Sequence, residues 1–457
     1  MSIGVIGGGI AGLTAAYELH RYGIPVRVLE ATSGTGGMIR SERVDGYLVE
    51  HGPNSLRDTN DLLPEIIDNL GLRNRVTDAS AEARKRFVVK EESPEPLPMS
   101  VGSFLTTSLL SMKGKARLLM EPFVKAGGAT NESVAEFIKR RLGPEILDYA
   151  VDPFVGGIFA GDPADLSVRH AFEKLHDMEV EHGSLFRGMI HARRNRSDDT
   201  PQKRSIYSFE RGLEMLPNAL HHALGSRVQV NAPVTSMRLD DQQWHVATQT
   251  SDGATEMHFF DAVISTIPLH RLASIDFNAS VDLALFKKVP YPPVSVMALG
   301  FERGDVSHPL DGFGMLVPKV ESTFSILGTL FSSTLFPGRA PKDKVLLTTF
   351  VGGSRRPELG WAETSELRST VLQDLRELLG VTGQPSFVRH IQWPRAIPQY
   401  TRDHGSVQSL IKRLETRHPG LFLAGNYRTG ISVGDAMQSG ADAAREARRA
   451  IKSVSPA

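Results

Sequence analysis

The chain has 457 residues, 40% apolar and 23% charged, which at roughly 100–200 residues per domain leaves room for two to four domains. Its 52 basic and 52 acidic residues leave no formal net charge, which argues against a general nucleic-acid binder, whose affinity rests on many Lys/Arg–phosphate contacts. The absence of cysteine excludes disulfides, thiolate metal and iron–sulfur sites, a cysteine nucleophile and a thioether-linked cofactor.

Ile3-Gly4-Val5-Ile6 reads as a buried strand, with no basic n-region or cleavage site of a signal peptide before it. No run approaches the ~20 apolar residues that span a bilayer. A cytoplasmic protein, or one lying on a membrane surface, is expected. The strand enters Gly7-Gly8-Gly9-Ile10-Ala11-Gly12, and a helix-periodic run follows from Leu13. Gly7, Gly9 and Gly12 form G-x-G-x-x-G: one glycine for the turn, one for backbone approach to a pyrophosphate, one for close helix–strand packing. A second strand, Val26-Arg27-Val28-Leu29, ends in Glu30, placed ~20 residues on, where a carboxylate would accept from an adenosine ribose.

From about Pro98 to Leu185 the chain looks helical. Asn131 is the expected N-cap of a helix whose face carries Val134, Phe137, Ile138 and Leu142, with Gly143 as its stop. The apolar run 101–110 reads as core rather than as a lipid-facing surface. Arg193-Arg194-Asn195-Arg196 and Lys203-Arg204 flank a polar loop, read as solvated, with anionic headgroups as the other reading. Strands return around Val228, Trp244 and Ala262. Long apolar runs from Val294 to Val351 suggest a mainly β layer, with a helix over 364–379 beside it. Leu421-Phe422-Leu423-Ala424 reads as a strand, then Gly425 to Asp435 as a loop, then a helix from Ala436 to about Ile451 with small Ser439, Gly440 and Ala441.

Gly430-Ile431-Ser432-Val433-Gly434 matches the G-x-S-x-G elbow of hydrolases, but the strand stops too early and no histidine follows. The fifteen histidines show no metal-binding spacing, and no metal is expected.

The continuation Gly36-Gly37-Met38-Ile39-Arg40, the turn Gly52-Pro53-Asn54-Ser55 and the C-terminal Gly-Asn-Tyr segment resemble the flavin-dependent amine-oxidase-like superfamily. Gly34 stands where that pattern has an arginine. The segments 152–163, 312–318, 327–333, 350–353 and Pro398-Gln399-Tyr400 are similar to protoporphyrinogen oxidases over essentially the whole chain. The resemblance implies an α/β plus α+β architecture: a Rossmann-like FAD-binding domain over 1–58, 205–272 and 388–457, a mixed β substrate domain over 59–97 and 273–387, and a helical, membrane-associating domain over 98–204.

It implies noncovalent FAD held by Gly7, Gly8, Gly9, Ile10, Ala11, Gly12, Glu30, Ala31, Met38, Arg40, Gly52, Pro53, Asn54, Ser55, Val234, Trp393, Gly425, Ile431, Ser432 and Val433. His51 is read as ordering the Gly-Pro loop. The C-terminal helix N-terminus would favour the anionic reduced ring. The implied substrate is a porphyrinogen tetrapyrrole, clamped by Leu316, Leu330 and Phe350, approached by Gly157 and anchored through a propionate by Arg86. No catalytic side chain beyond the flavin is implied. The implied reaction is six-electron oxidation of protoporphyrinogen IX by dioxygen, giving hydrogen peroxide. Coproporphyrinogen III, an amine-oxidase or carotenoid-desaturase chemistry, and a non-enzymatic flavin carrier are the alternatives. A membrane surface and a second copy of the chain are the remaining candidate partners.

Overall fold

A computed structural model describes residues 1–58, 60–128, 131–194, 206–277 and 281–454. The segment 195–205, with Asn195, Arg196, Lys203 and Arg204 of the basic cluster, lies outside the described residues.

Five parallel strands run in the order Val228–Gln229, Val26–Leu29, Ile3–Ile6, Ala262–Ser265, Leu421–Leu423. Ile3–Ile6 is buried along its whole length, as a central parallel strand covered on both faces must be. On one face lie the first helix, Ile10–Arg21, and the last, Val433–Val454, sharing a core of Ile3, Val5, Leu13, Ala16, Ile264, Met437 and Ala444. The last helix starts three residues before the expected Ala436, because Ser432 caps it. On the other face Ile6, Leu29 and Val263 pack with Trp244, Val246 and Phe260 of a four-stranded sheet and with the helix His404–Arg417.

A seven-stranded mixed sheet runs Phe387–Trp393, Val294–Glu302, Lys344–Gly352, Ile326–Phe331, Gly312–Leu316, Lys85–Lys90, Ser93–Pro96. Its neighbours are antiparallel except Gly312–Leu316 with Lys85–Lys90. One face carries Phe87, Leu299, Met315, Phe331 and Leu347 against Leu367, Val371, Leu375 and Leu378 of the helix Thr364–Leu379. Part of the other face is covered by the hairpin Ser41–Val44/Tyr47–Glu50, where Tyr47 stacks on Phe387 with centroids 4.5 Å apart. Behind the hairpin, the buried Arg339 donates to Glu50 (2.7 Å) and to Ser208 (2.6 Å).

Residues 98–194 form short helices. The helix Val134–Arg141 is capped by Ser133, not Asn131: Ser133 Oγ accepts from Glu136 N, and the Glu136 carboxylate accepts from Ser133 N, a reciprocal pair that a cap two residues earlier cannot make. Val134, Phe137 and Ile138 are buried as expected, and Gly143 ends the turn at φ +97°. The run 101–110 is not uniformly core: Leu109 and Leu110 are buried, whereas Leu105 is exposed on the helix Val101–Thr106. Met112, Leu119, Met120 and Phe123 are also exposed, Phe123 by 82%. Among the described residues no helix is long and apolar enough to cross a membrane.

This region is tied together by charge. Glu121 and Arg141 are a fully buried ion pair. The Glu121 carboxylate also accepts from Ser184 Oγ (2.6 Å) and from the backbone N–H of Leu185 (2.9 Å) and Phe186 (3.2 Å). Removing one partner leaves the other buried and uncompensated, which costs about 3–5 kcal/mol. Glu121→Gln should therefore lower the urea midpoint by that equivalent, measured by far-UV circular dichroism.

His404 is buried and stacked on Tyr400 (centroids 4.2 Å), with His170 at its edge. Burial, reinforced by His170, pushes it down from 6.5 to about 4. Above 6.5 it is neutral in both states. As pH falls from 6.5 towards 4, the unfolded chain takes a proton that the folded state refuses, and stability is lost. The urea midpoint should fall between pH 7 and pH 5, and fall less in His404→Phe, which keeps the stacked ring but cannot titrate.

Candidate functional site

The glycine cradle is as tight as its spacing demands. Gly7 takes φ +103°, and a β-carbon at Gly12 would lie 1.9 Å from the Gly7 carbonyl oxygen. At Gly9, the N-cap of the first helix, a β-carbon would meet nothing within 4 Å, and no side chain caps the helix. Open space therefore lies in front of an uncapped N-terminus, flanked by Gly8, Ile10 and Ala11: donors and dipole are left for an anion. The cradle fits a pyrophosphate.

Glu30 closes one side. Its carboxylate accepts from Gly8 N (2.6 Å), Thr32 N (2.8 Å) and Thr32 Oγ1 (2.7 Å), with Ala31 exposed between them. Glu30 also bonds through its backbone to Gln229 and Ala232, and Asn231 N donates to Thr32 O, so Val234 starts its strand beside this end of the cradle. Gly36 N donates to Gly8 O (2.8 Å), which lays the second glycine pair along the first.

The C-terminal segment arrives through small residues. A β-carbon at Gly440 would lie 2.1 Å from the Ala11 carbonyl oxygen, so only glycine allows the last helix to sit on the start of the first. Gly425 N donates to Ser439 Oγ (3.0 Å). Ile431, Ser432 and Val433 stand at the N-terminus of the last helix. That N-terminus is not bare, contrary to the simple dipole expectation: Ser432 Oγ accepts from Asp435 N, and the Asp435 carboxylate accepts from Ser432 N and Oγ.

Between these ends lies the loop 51–55. A β-carbon at Gly52 would lie 2.3 Å from the Met38 carbonyl oxygen, Asn54 Nδ2 donates to Gly52 O (2.9 Å), and Pro53 and Ser55 are half-buried beside them. Trp393 Nε1 donates to His51 O (2.6 Å), and the His51 ring stands 3.3 Å from Glu42. The Arg40 side chain is exposed, while its carbonyl accepts from His51 N (2.9 Å).

Met38 and Trp393 belong to the same half-buried apolar cluster as Phe350, packed on Ala160, Val294, Leu327 and Ala396. Phe350 opposes Gly328, Gly328 opposes Leu316, and Leu330 opposes Gly314 and Thr348. With the period of two, Leu316, Leu330 and Phe350 share the sheet face turned away from the helix Thr364–Leu379. All three are half-buried, unlike their buried neighbours on the opposite face.

Gly157 belongs to the helix Asp152–Phe159, which packs over this face. The first atom a β-carbon there would meet is Leu316 Cδ2, at 2.5 Å, so its smallness first serves this packing. Arg86 lies two residues before Val88, which opposes Leu316, and so shares the face. Its guanidinium sits 5.3 Å from the Phe313 ring rather than within the Met38–Phe350–Trp393 cluster.

Three further contributors carry no local signal of their role in the sequence. Thr266 Oγ1 donates to Ile6 O and Gly7 O and closes the cradle from below. The buried Gln399 donates to Phe159 O (2.8 Å) and Ile397 O (3.0 Å), leaving its Oε1 without a partner. Arg355 pairs with Asp152 at 2.7 Å. Only the paired glycines at 156–157 and 352–353 signalled crowding there.

Residues 10–448 match the family described as flavin containing amine oxidoreductase. The chain is 36% identical to protoporphyrinogen oxidase 2, chloroplastic/mitochondrial, of Arabidopsis thaliana, over 97% of this chain and 92% of that protein. It is 27% identical to the coproporphyrinogen III oxidase of Bacillus subtilis (strain 168), over 97% of each. A crystal structure from Exiguobacterium sp. 255-15 shares the fold, with a TM-score of 0.83 and 23% identity over 99% of both chains. The chain belongs to the flavin-containing amine oxidoreductase family.

Proposed function

We propose that the protein oxidises protoporphyrinogen IX to protoporphyrin IX, removing six electrons with FAD as noncovalent cofactor and dioxygen as acceptor, and releasing hydrogen peroxide. One observation carries this reading: the apolar face bearing Leu316, Leu330 and Phe350 runs into the cluster that contains Met38 and Trp393, so a flat apolar substrate would lie directly against the cofactor side of the cleft. The Arabidopsis relative is named a protoporphyrinogen oxidase, which supports this substrate class.

Gly7 to Gly12 would hold the pyrophosphate, Glu30 and Ala31 the ribose end, Val234 the adenine, and Arg40 would remain available to the same half. Met38, the loop Gly52 to Ser55, Trp393, Gly425 and residues 431–433 would surround the ring system. Bound FAD would supply the two-electron acceptor that no side chain of this chain provides. The chain's own residues exclude water and fix orientation. Leu316, Leu330 and Phe350 give a dry, flat support. Arg86, one strand from Leu316 and three strands (about 14 Å at sheet spacing) from Phe350, offers a guanidinium to a substrate carboxylate at the slot's edge. The exposed Leu105, Met112, Leu119 and Phe123 would rest on a membrane surface that holds an apolar substrate. Coproporphyrinogen III is the second reading, favoured by the similarity to the Bacillus subtilis enzyme along its whole length.

Anaerobic flavin bleaching with the two porphyrinogens side by side tests the proposal. Protoporphyrinogen IX should bleach the flavin faster, and heat-released flavin should be intact FAD. Faster bleaching by coproporphyrinogen III would select the second reading, and no bleaching by either would remove both. In Arg86→Ala, the KM for the preferred porphyrinogen should rise about tenfold, the equivalent of one charge-assisted hydrogen bond, with kcat unchanged.

A further inference from the structure

The paired glycines of Asp152-Pro153-Phe154-Val155-Gly156-Gly157 have separate reasons to be small. Gly157 admits Leu316. Gly156 admits a guanidinium: a β-carbon there would lie 2.8 Å from Arg355 Nη2. Arg355 enters along the first turn of the helix Asp152–Phe159, its side chain 9% exposed, and Asp152 is as deeply buried at 7%.

Its two terminal nitrogens donate to two elements, while the buried Nε has no partner. Nη2 donates to the Asp152 carboxylate (2.7 Å) and to the Asp152 carbonyl (3.0 Å), while Nη1 donates to Val317 O (2.7 Å). Val317 follows Leu316 directly. One rigid, planar group therefore bridges the helix that carries Gly157 and the strand end that carries Leu316. The same Asp152 oxygen accepts from Lys319 N (2.7 Å), and Lys319 Nζ reaches Asp162 (2.6 Å) beyond the helix's other end. Ser354 N donates to Ala160 O (2.8 Å), so residues next to one another in sequence hold both ends of the helix. These residues continue the strand Lys344–Gly352, which presents Phe350.

We infer that Arg355 is a positioning residue, which with Asp152 sets the gap between the helix Asp152–Phe159 and the Leu316–Phe350 face and so the width of the slot that receives the substrate. The inference rests on the porphyrinogen reading above. Arg355 touches no reacting atom. Its effect is exerted through the separation of Gly157 from the apolar clamps, and a binding slot is sensitive to shifts of an ångström.

Arg355→Met should raise the KM for protoporphyrinogen IX about fivefold or more, with kcat within about twofold and flavin content unchanged, since a misplaced wall weakens uniform binding. The double variant Asp152→Asn/Arg355→Met separates positioning from bulk stability. Removing both buried charges should return the thermal midpoint towards wild type, while the KM stays high because the bridge to Val317 is still missing. A KM that recovers together with the midpoint, or one unmoved in both variants, overturns the inference. If Arg355→Met does not fold, Arg355→Lys keeps the charge but cannot reach both partners, and it should show the same KM shift in smaller measure. An unshifted KM there overturns the inference equally. Wild-type protein that turns over neither porphyrinogen removes the function itself and this role with it, a result distinct from wild-type turnover with unmoved variants.

Discussion

The cleft depends on one close approach, the last helix resting on the Ala11 carbonyl at Gly440. A methyl group at position 440 would collide with backbone, and backbone cannot swing aside as a side chain can. This contact brings Ile431, Ser432 and Val433 to the cradle of Gly7 to Gly12 from the far end of the chain. It also explains the small residues around it: Ser439 is free to bond Gly425, and Ala441 and Ala444 are buried along the same seam. The absence of one side chain thus lets the last helix rest on the start of the first, and a flavin held there would lie between two helix N-termini.

The seven-stranded sheet divides labour between its faces. On the face under the helix Thr364–Leu379, Phe87, Leu299, Phe331 and Leu347 are buried and stabilise the fold. The opposite face is shared between the Tyr47 hairpin and the half-buried Leu316, Leu330 and Phe350. Leaving large apolar side chains half-covered forgoes burial energy. The sheet carries that cost because its other face is dry and continuous, and the helix Asp152–Phe159, which buries Val155 and Phe159 in a core of the helical region, is tied to the sheet by the Arg355–Asp152 ion pair.

Local patterns were legible in the sequence, and distant pairings were not. Gly7, Gly9, Gly12 and Glu30 lie within one strand–helix–strand unit, where spacing alone dictates geometry. The helix over 364–379 and the strands at Val26 and Leu421 were visible for the same reason. Asn131 and Ser133 both suit a cap by residue type, and the S-x-x-E spacing of Ser133 and Glu136 is the local signal that favours Ser133. The run 101–110 has uniform hydropathy, yet its two ends meet different surroundings. Arg355 and Asp152 stand 203 residues apart, and no periodicity connects them. The Asp435 carboxylate closes on Ser432 at the last helix's start, a bond that the G-x-S-x-G spacing of 430–434 does not reveal.

The five-stranded parallel sheet also fixes the order in which the molecule can be completed during synthesis. Ile3–Ile6 is made long before its neighbour Ala262–Ser265, and Ala262–Ser265 in turn awaits Leu421–Leu423. Such non-local pairing is slow, because loop-closure entropy must be met before the contacts form. Until the last helix is made, the face of Ile10–Arg21 that packs on Met437 and Ala444 has no cover, and uncovered apolar surface favours association. A cofactor held between Gly7–Gly12 and residues 431–433 would consequently be loaded only once the last helix is in place.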